Sequence, residues 1–310
     1  DTFKHEYHLK IDHGSGERRP WVSSAFHARD QRSTAALVSE TDGGPRFLLL
    51  ATHKASFGRD RDPNHVVLRF LPRDTREEKQ RHDPWSRRIS GTHFWLELQR
   101  DGLEVLDDST NGTELEGELL SGDREHSLSN SRLLTSEHAH AGLPLRLAVI
   151  RRKAADSICP FEMLLRLYSA AESFDRGHTT DCPGEIYRDV LQASLPLRWR
   201  IAEDSRIDAL RLRRMGNLPE EQYVLLFRQA LIGSSGDAPL CLDDPSIARL
   251  HARLVHLDDR FWLEHIATGG TTMVNDHRLG LREIVPLSAG MTLRFGDFAF
   301  RFTDFAQLHV

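Results

Sequence analysis

Three short clusters carry side chains suited to chemistry rather than to packing. Gly58-Arg59 ends one apolar run, Ser90-x-x-His93 opens another, and Ser109-Thr110-Asn111-Gly112-Thr113 closes the unit that follows. Arg59 offers a planar fork of donors. Ser90 carries a rotatable hydroxyl, and the Asn111 amide both donates and accepts. Each residue also has a plain reading: an exposed arginine in FGRDRD, a turn serine, and an Asn-Gly hairpin turn. What sets them apart is that they occur together, in this order.

Other candidate chemistry is weaker. Seventeen histidines invite a search for metal ligands, and His126 with His138-Ala139-His140 is the densest group. These lie in loop-like sequence without a recognised ligand spacing, so solvated histidines are expected and no metal site. Asp107-Asp108 and Asp243-Asp244 fall at turns, where aspartate is favoured for backbone reasons. The sequence has no nucleophile elbow, phosphate-binding P-loop, HExxH or dinucleotide fingerprint. No catalytic residue, cofactor or metal is expected.

The bulk properties describe an ordinary globular chain. Its 310 residues suggest about two domains. A net charge of −5 argues against a dominant basic face for nucleic acid, and the run Arg211–Arg214 reads as a solvated strand edge. Cys159, Cys182 and Cys241 are too few and too scattered for a disulfide framework, which fits a reducing compartment and a cytoplasmic location. No apolar run approaches the roughly 18 residues of a membrane span. No signal peptide is visible, and a chain starting at Asp1 is expected to be a trimmed or processed product.

An internal repeat organises the chain. Ile89–Thr113 aligns without a gap on Ile247–Thr271, and RFLLLATHKASFGRD aligns on QYVLLFRQALIGSSGD. Strand-like stretches, Ala35–Glu40 and Ala209–Arg214, precede each copy. Phe94, Leu96 and Leu98 alternate with polar neighbours, and short strands recur with turn signals between them, as in a sandwich or barrel. The longest apolar stretch, Phe47–Ala51, suits a buried strand. Phe161, Met163, Leu165 and Leu167 alternate too, so part of the connecting region is expected to be a strand. Ser173–Gly184 reads as an exposed loop and Gly184–Ala193 as the best helix candidate. HEYHLKI, near the start, reads as a strand.

The ordered set Gly58-Arg59, Ser90-x-x-His93 and Asn111-Gly112-Thr113 resembles the forkhead-associated (FHA) family. The resemblance covers most of 33–150 and 206–310. It implies an all-β chain of two FHA-type β-sandwich domains joined by a partly structured connector. The boundaries expected are an N-terminal extension at 1–32, a first domain at 33–152, the connector at 153–205 and a second domain at 206–310. It further implies that loops at one end bind a phosphothreonine peptide. Arg59 and Ser90 would hold the phosphate, Gly91 and Thr92 would add donors, and Asn111 would hold the peptide backbone. Gly58, His93, Gly112 and Thr113 would support the site, His93 by bracing the loops from inside.

In the second copy the upstream match puts Ser234 at the place of Arg59, and the gapless alignment puts Ala248 at Ser90 and Gly269 at Asn111, while His251, Gly270 and Thr271 remain. That copy is expected to be degenerate, a docking or structural unit, with Arg249 the only substitute charge. Between Arg59 and Ser90 lies a long insert, in which Pro72–Pro84 is expected to be a mobile loop beside the site. The expected partner is a phosphothreonine protein, a Ser/Thr kinase or its substrate, with no nucleic acid and no membrane insertion. Self-association through a phosphorylated Thr75, Thr179 or Thr180 is a further expectation. The competing reading is a scaffold indifferent to phosphate.

Overall fold

The computed structural model describes residues 21–26, 31–41, 43–60, 64–71, 75–120, 130–150, 161–169, 187, 191, 194–214 and 221–303. The first half runs β1 (Trp21–Phe26), β2 (Thr34–Ser39), β3 (Arg46–Leu50), β4 (Lys54–Gly58), β5 (Val66–Leu71) and helix α1 (Arg76–Ser86). It continues through β6 (Phe94–Gln99), β7 (Gly102–Asp107), β8 (Glu114–Leu115), β9 (Glu118–Leu119) and β10 (Ser131–Leu134). Helix α2 (Ser136–Ala141), β11 (Leu145–Ala148) and β12 (Glu162–Tyr168) complete it. The second half is α3 (Leu197–Ser205), β13 (Ala209–Arg214), β14 (Glu221–Leu226), β15 (Gln229–Gly233) and β16 (Leu240–Cys241). Then follow β17 (Ala252–Leu257), β18 (Arg260–His265), β19 (Thr272–Val274) and β20 (His277–Arg278). The last strands are β21 (Ile284–Pro286), β22 (Thr292–Phe295) and β23 (Phe298–Thr303).

These strands form three sheets. One has six strands in the order β1-β5-β4-β6-β7-β10, and another has five, β16-β15-β17-β18-β21. The third has twelve, β20-β19-β22-β23-β2-β3-β14-β13-β12-β11-β8-β9. Strand side chains alternate between faces, and the middle of the long sheet uses both. Leu48 and Leu50 of β3, Tyr223 and Leu225 of β14 and Leu210 and Leu212 of β13 share a core with Phe57, Leu68, Phe94 and Leu96 of the six-stranded sheet. Phe47 and Leu49 of β3, Val224 and Leu226 of β14 and Leu37 of β2 share the other core with Ile232, Leu254 and Leu263 of the five-stranded sheet. A strand buried on both faces reads as an unbroken apolar run. That is why Phe47–Ala51 does not alternate.

The first hairpins of the two copies are exchanged. β2 pairs antiparallel with β23, the last strand of the second copy, and β13 pairs antiparallel with β12, which follows the first copy. β3 and β14 then lie side by side in parallel, with Phe47 opposite Gln222 and Leu49 opposite Val224. A pseudo-twofold axis therefore runs along the strands between β3 and β14 and turns one sandwich into the other. Each sandwich is closed by a hairpin from the opposite copy.

Three expectations are corrected. From Thr75 onward the segment expected as a mobile loop is helix α1. The Thr75 hydroxyl accepts from Glu78 N–H, and the Glu78 carboxylate accepts from Thr75 N–H, forming a capping box. The helix packs on β5 through Trp85, whose ring meets Phe70 edge-on at 5.6 Å, and through Ser86, whose hydroxyl accepts from Phe70 N–H. The Arg211–Arg214 run is no edge, because β13 is hydrogen-bonded to β12 on one side and β14 on the other. His138 and His140 lie on helix α2, which ends at Gly142 in the left-handed conformation (φ 62°). HEYHLKI and Ser173–Gly184 fall outside the described residues. Of the helix expected over Gly184–Ala193, Tyr187 and Leu191 are described, and both are helical.

Candidate functional site

At the end of the first sandwich three loops are laced together through the backbone. Arg59 N–H donates to Ser90 O at 2.9 Å, Asp60 N–H to Gly91 O at 3.1 Å and His93 N–H to Phe57 O at 2.7 Å. This close approach needs Gly58, since a Cβ there would stand 2.2 Å from Gly91 O and 2.8 Å from Thr92 Cα. Gly91 and Thr92, both half-buried, form the turn between Ser90 and His93. Asn64, missed in the sequence reading, ties the same turn by donating from Nδ2 to Asp60 O (2.7 Å) and Gly91 O (2.5 Å).

His93 is fully buried and accepts from Ser90 N–H at Nδ1, at 3.0 Å. Burial lowers its pKa to about 4, opposed by the Asp107 carboxylate and the carbonyls of Val149 and Gly112. The ring is thus neutral near pH 7 and acts as an internal brace. Asp107 is a second residue the sequence reading passed over as an ordinary turn acid. It is buried, and its carboxylate accepts from Thr113 Oγ1 at 2.6 Å and Ser109 N–H at 3.3 Å. These bonds shape the Ser109–Thr113 turn, where Gly112 takes φ 85°, a conformation glycine adopts without steric cost. The Asp107-x-Ser109 spacing of an Asx turn was the available signal.

Arg59, Ser90 and Asn111 are brought to this one end. Ser90 Oγ accepts from Thr110 N–H at 2.9 Å, which leaves its O–H as a donor. Asn111 is exposed and donates from Nδ2 to Arg88 O at 2.7 Å, joining its turn to the residues that follow α1. The Arg59 side chain is about one-third exposed and pairs through Nε with Asp60 Oδ1 at 3.2 Å. Asp60 also lies against Gly91, with Oδ2 2.6 Å from where a Cβ on Gly91 would stand. The end therefore presents a guanidinium, a hydroxyl and an amide around a glycine turn, with one carboxylate beside the guanidinium.

The second sandwich repeats the framework. Ser234 N–H donates to Ala248 O at 3.1 Å, His251 N–H to Ile232 O at 2.8 Å, and Ala248 N–H to His251 Nδ1 at 3.1 Å. A Cβ on Gly233 would stand 2.1 Å from Arg249 O, as one on Gly58 would from Gly91 O. Ser234, Ala248 and Arg249 thus occupy the places of Arg59, Ser90 and Gly91. The gapless alignment slips in the last turn, however. Leu115 pairs with Leu147 as Val274 pairs with Leu293, so Thr113 corresponds to Thr272. One extra residue lies between His265 and Thr272, and the place of Asn111 falls at Gly269 or Gly270, a glycine either way.

Comparison with known families bears on both ends. The FHA domain family model matches residues 55–135 and 230–296. Both sandwiches carry an FHA match. The backbone bonds that lace the loops at each end, from Phe57 to Gly91 and His93 and from Ile232 to Ala248 and His251, lie within the matched regions. No curated protein matches the chain. Among solved structures, an FHA domain studied for phosphothreonine-dependent interactions is 22% identical, with 26% of this chain and 82% of that one covered and a TM-score of 0.24. EmbR of Mycobacterium tuberculosis, in complex with a low-affinity phosphopeptide, is 25% identical, with 27% and 21% covered and a TM-score of 0.25. An FHA domain from Chlamydia trachomatis is 24% identical, with 25% and 78% covered and a TM-score of 0.24.

Proposed function

We propose that the first FHA region binds a phosphothreonine-containing protein and that the second is a docking and structural unit. The observation that carries this reading is the convergence of Arg59, Ser90 and Asn111 on loops held together by Gly58, His93 and Asp107. A phosphate adds about −1.5 to −2 charge and three acceptor oxygens. The Arg59 Nη atoms supply a charge-assisted fork for those oxygens, and Ser90 supplies the short hydroxyl bond. Thr92 Oγ1 and Gly91 N–H are additional donors, and Asn111 Oδ1 is the acceptor for the peptide beside the phosphothreonine. At the equivalent places of the second FHA region stand Ser234, Ala248 and a glycine, so this donor set is missing there. The chain is read as a non-enzymatic adaptor of Ser/Thr kinase signalling, cytoplasmic, with a kinase or a kinase substrate as partner. The test is a degenerate phosphothreonine peptide library against the wild-type chain and Arg59→Ala. Phosphate-dependent capture by the wild type alone is expected, and capture of neither peptide form would leave the phosphate-indifferent scaffold as the reading.

A further inference from the structure

Beside the second FHA region, on the face of the long sheet beneath β16, three arginines gather that its domain repeat does not explain. Arg166 of β12 and Arg211 of β13 are direct cross-strand partners, and like charges so placed are destabilising. Both guanidinium groups lie over the ring of Tyr168, at 5.1 Å and 5.4 Å from its centroid. Arg249 approaches from the turn that replaces Ser90–Thr92. Arg166 Nη2 and Arg249 Nη2 share one counter-ion, Asp237, at 3.2 Å each. Arg211 Nη1 donates to Pro239 O at 3.4 Å, a weak bond to a neutral acceptor.

The donors outnumber the acceptors. Among the described residues, Tyr168 Oη and Arg166 Nε are buried and meet no hydrogen-bond partner, although Tyr168 as a whole is only 5% exposed. Buried polar groups are paired in the great majority of cases, and each exception calls for an explanation, such as strain, an ordered water, a bound ion or a function. Burial also raises the Tyr168 pKa to about 12, so its hydroxyl remains a donor at neutral pH. The pseudo-twofold mates of Arg211 and Arg166 are Ala36 and Thr303, by the matched pairings of β13 with β12 and of β2 with β23. The cluster is therefore a property of this half and not of the fold.

We propose that Arg166, Arg211 and Arg249, with Tyr168, form a second oxyanion site that takes a phosphate group. It is assembled across the hairpin exchange, since Arg166 comes from the strand following the first copy while Arg211 and Arg249 come from the second. Asp237 holds the arginines in place and gives way to, or shares them with, the anion. The ligand chemistry is a phosphate, either free or carried on a phosphorylated side chain.

The experiment uses the full chain carrying Arg59→Ala, which removes the first site, so that failure here and failure of the phosphothreonine reading remain distinct. Inorganic phosphate is titrated by calorimetry at constant ionic strength in chloride, followed by a phosphothreonine peptide and its unmodified form. Saturable phosphate binding is expected, weakened about tenfold or more by Arg166→Gln and by Arg249→Gln. Arg249 is largely exposed, with a side chain 68% accessible, so that variant tests the site without burdening the fold. A phosphopeptide that binds tighter than inorganic phosphate assigns the site to a modified side chain, and equal or weaker binding assigns it to free phosphate. Both results support the site. No saturable phosphate binding, or binding unchanged in both variants, overturns it and leaves the arginines as a latch holding the Ser234–Leu240 segment to the long sheet.

Discussion

Arg59 reaches the proposed binding end with a carboxylate already beside it. Asp60 pairs with its Nε and lies along the Gly91 turn, so an arriving phosphate meets both a partner and a like charge. Asp60→Asn is expected to tighten phosphopeptide binding about three- to tenfold, measured by titration, and unchanged or weaker binding would mean that the carboxylate orients the guanidinium productively. His93 makes a different kind of prediction. Burial holds its pKa near 4 against 6.5 unfolded, so between those values the unfolded chain binds a proton that the folded chain refuses. Stability is fully present above about pH 6.5 and falls as the pH drops through that window, by on the order of 3 kcal/mol at its foot. His251 is lowered by burial as well and adds to the fall. Urea midpoints should therefore drop between pH 7 and pH 4.5, and His93→Gln should flatten the dependence. At this scale the sequence singled out Arg59, Ser90, His93 and Asn111 by residue type and order, and the structure brings all four to one end of the first sandwich. The sequence was read poorly for Asp60, Asn64 and Asp107, whose roles depend on which backbone groups the fold brings within reach.

Helix α1 is the element that fixes the proposed binding end from behind. It runs into Arg88, whose carbonyl receives Asn111, and then into Ser90. Thr75→Ala removes the cap and should cost about 1 kcal/mol, with a modest loss of peptide affinity as the Arg88–Ser90 segment loosens. A denaturant midpoint equal to wild type would contradict the capping role. The same cap sets a cost on Thr75 as a self-ligand, because its phosphorylation would place the new charge beside Glu78. The helix was legible in Thr75-x-x-Glu78 within TREEKQRH, but the charge of the segment drew the reading toward a solvated loop. Trp85 and Ser86, which dock it on β5, are too sparse to register as an apolar face. The one-residue slip between His265 and Thr272 was hidden for a related reason. Gly-Gly-Thr-Thr admits two alignments on Asn-Gly-Thr, and only the pairing of β19 with β22 chooses between them.

Across the whole molecule the two sandwiches share strands, so their folding is expected to be shared too. β3 and β14 each bury side chains in both cores, and a fully buried Leu or Phe is worth about 1.5–3 kcal/mol. Calorimetry of the full chain should give one transition whose calorimetric and van't Hoff enthalpies agree, whereas two separated transitions would contradict the exchange. Both sandwiches and the repeat were legible in the alternation and spacing of the sequence. The exchange was not, because periodicity tells a strand which face to bury but not which neighbour to pair with. The unbroken runs Phe47–Ala51 and Tyr223–Phe227 were the hint that β3 and β14 have a core on each side. The phosphothreonine binding proposed for this chain rests on Arg59, and titration of a phosphothreonine peptide into wild type and Arg59→Ala tests that most directly. Saturable binding that requires the phosphate and weakens at least about tenfold in Arg59→Ala is predicted. Equal binding by the two proteins, or by the phosphorylated and unmodified peptides, would contradict it.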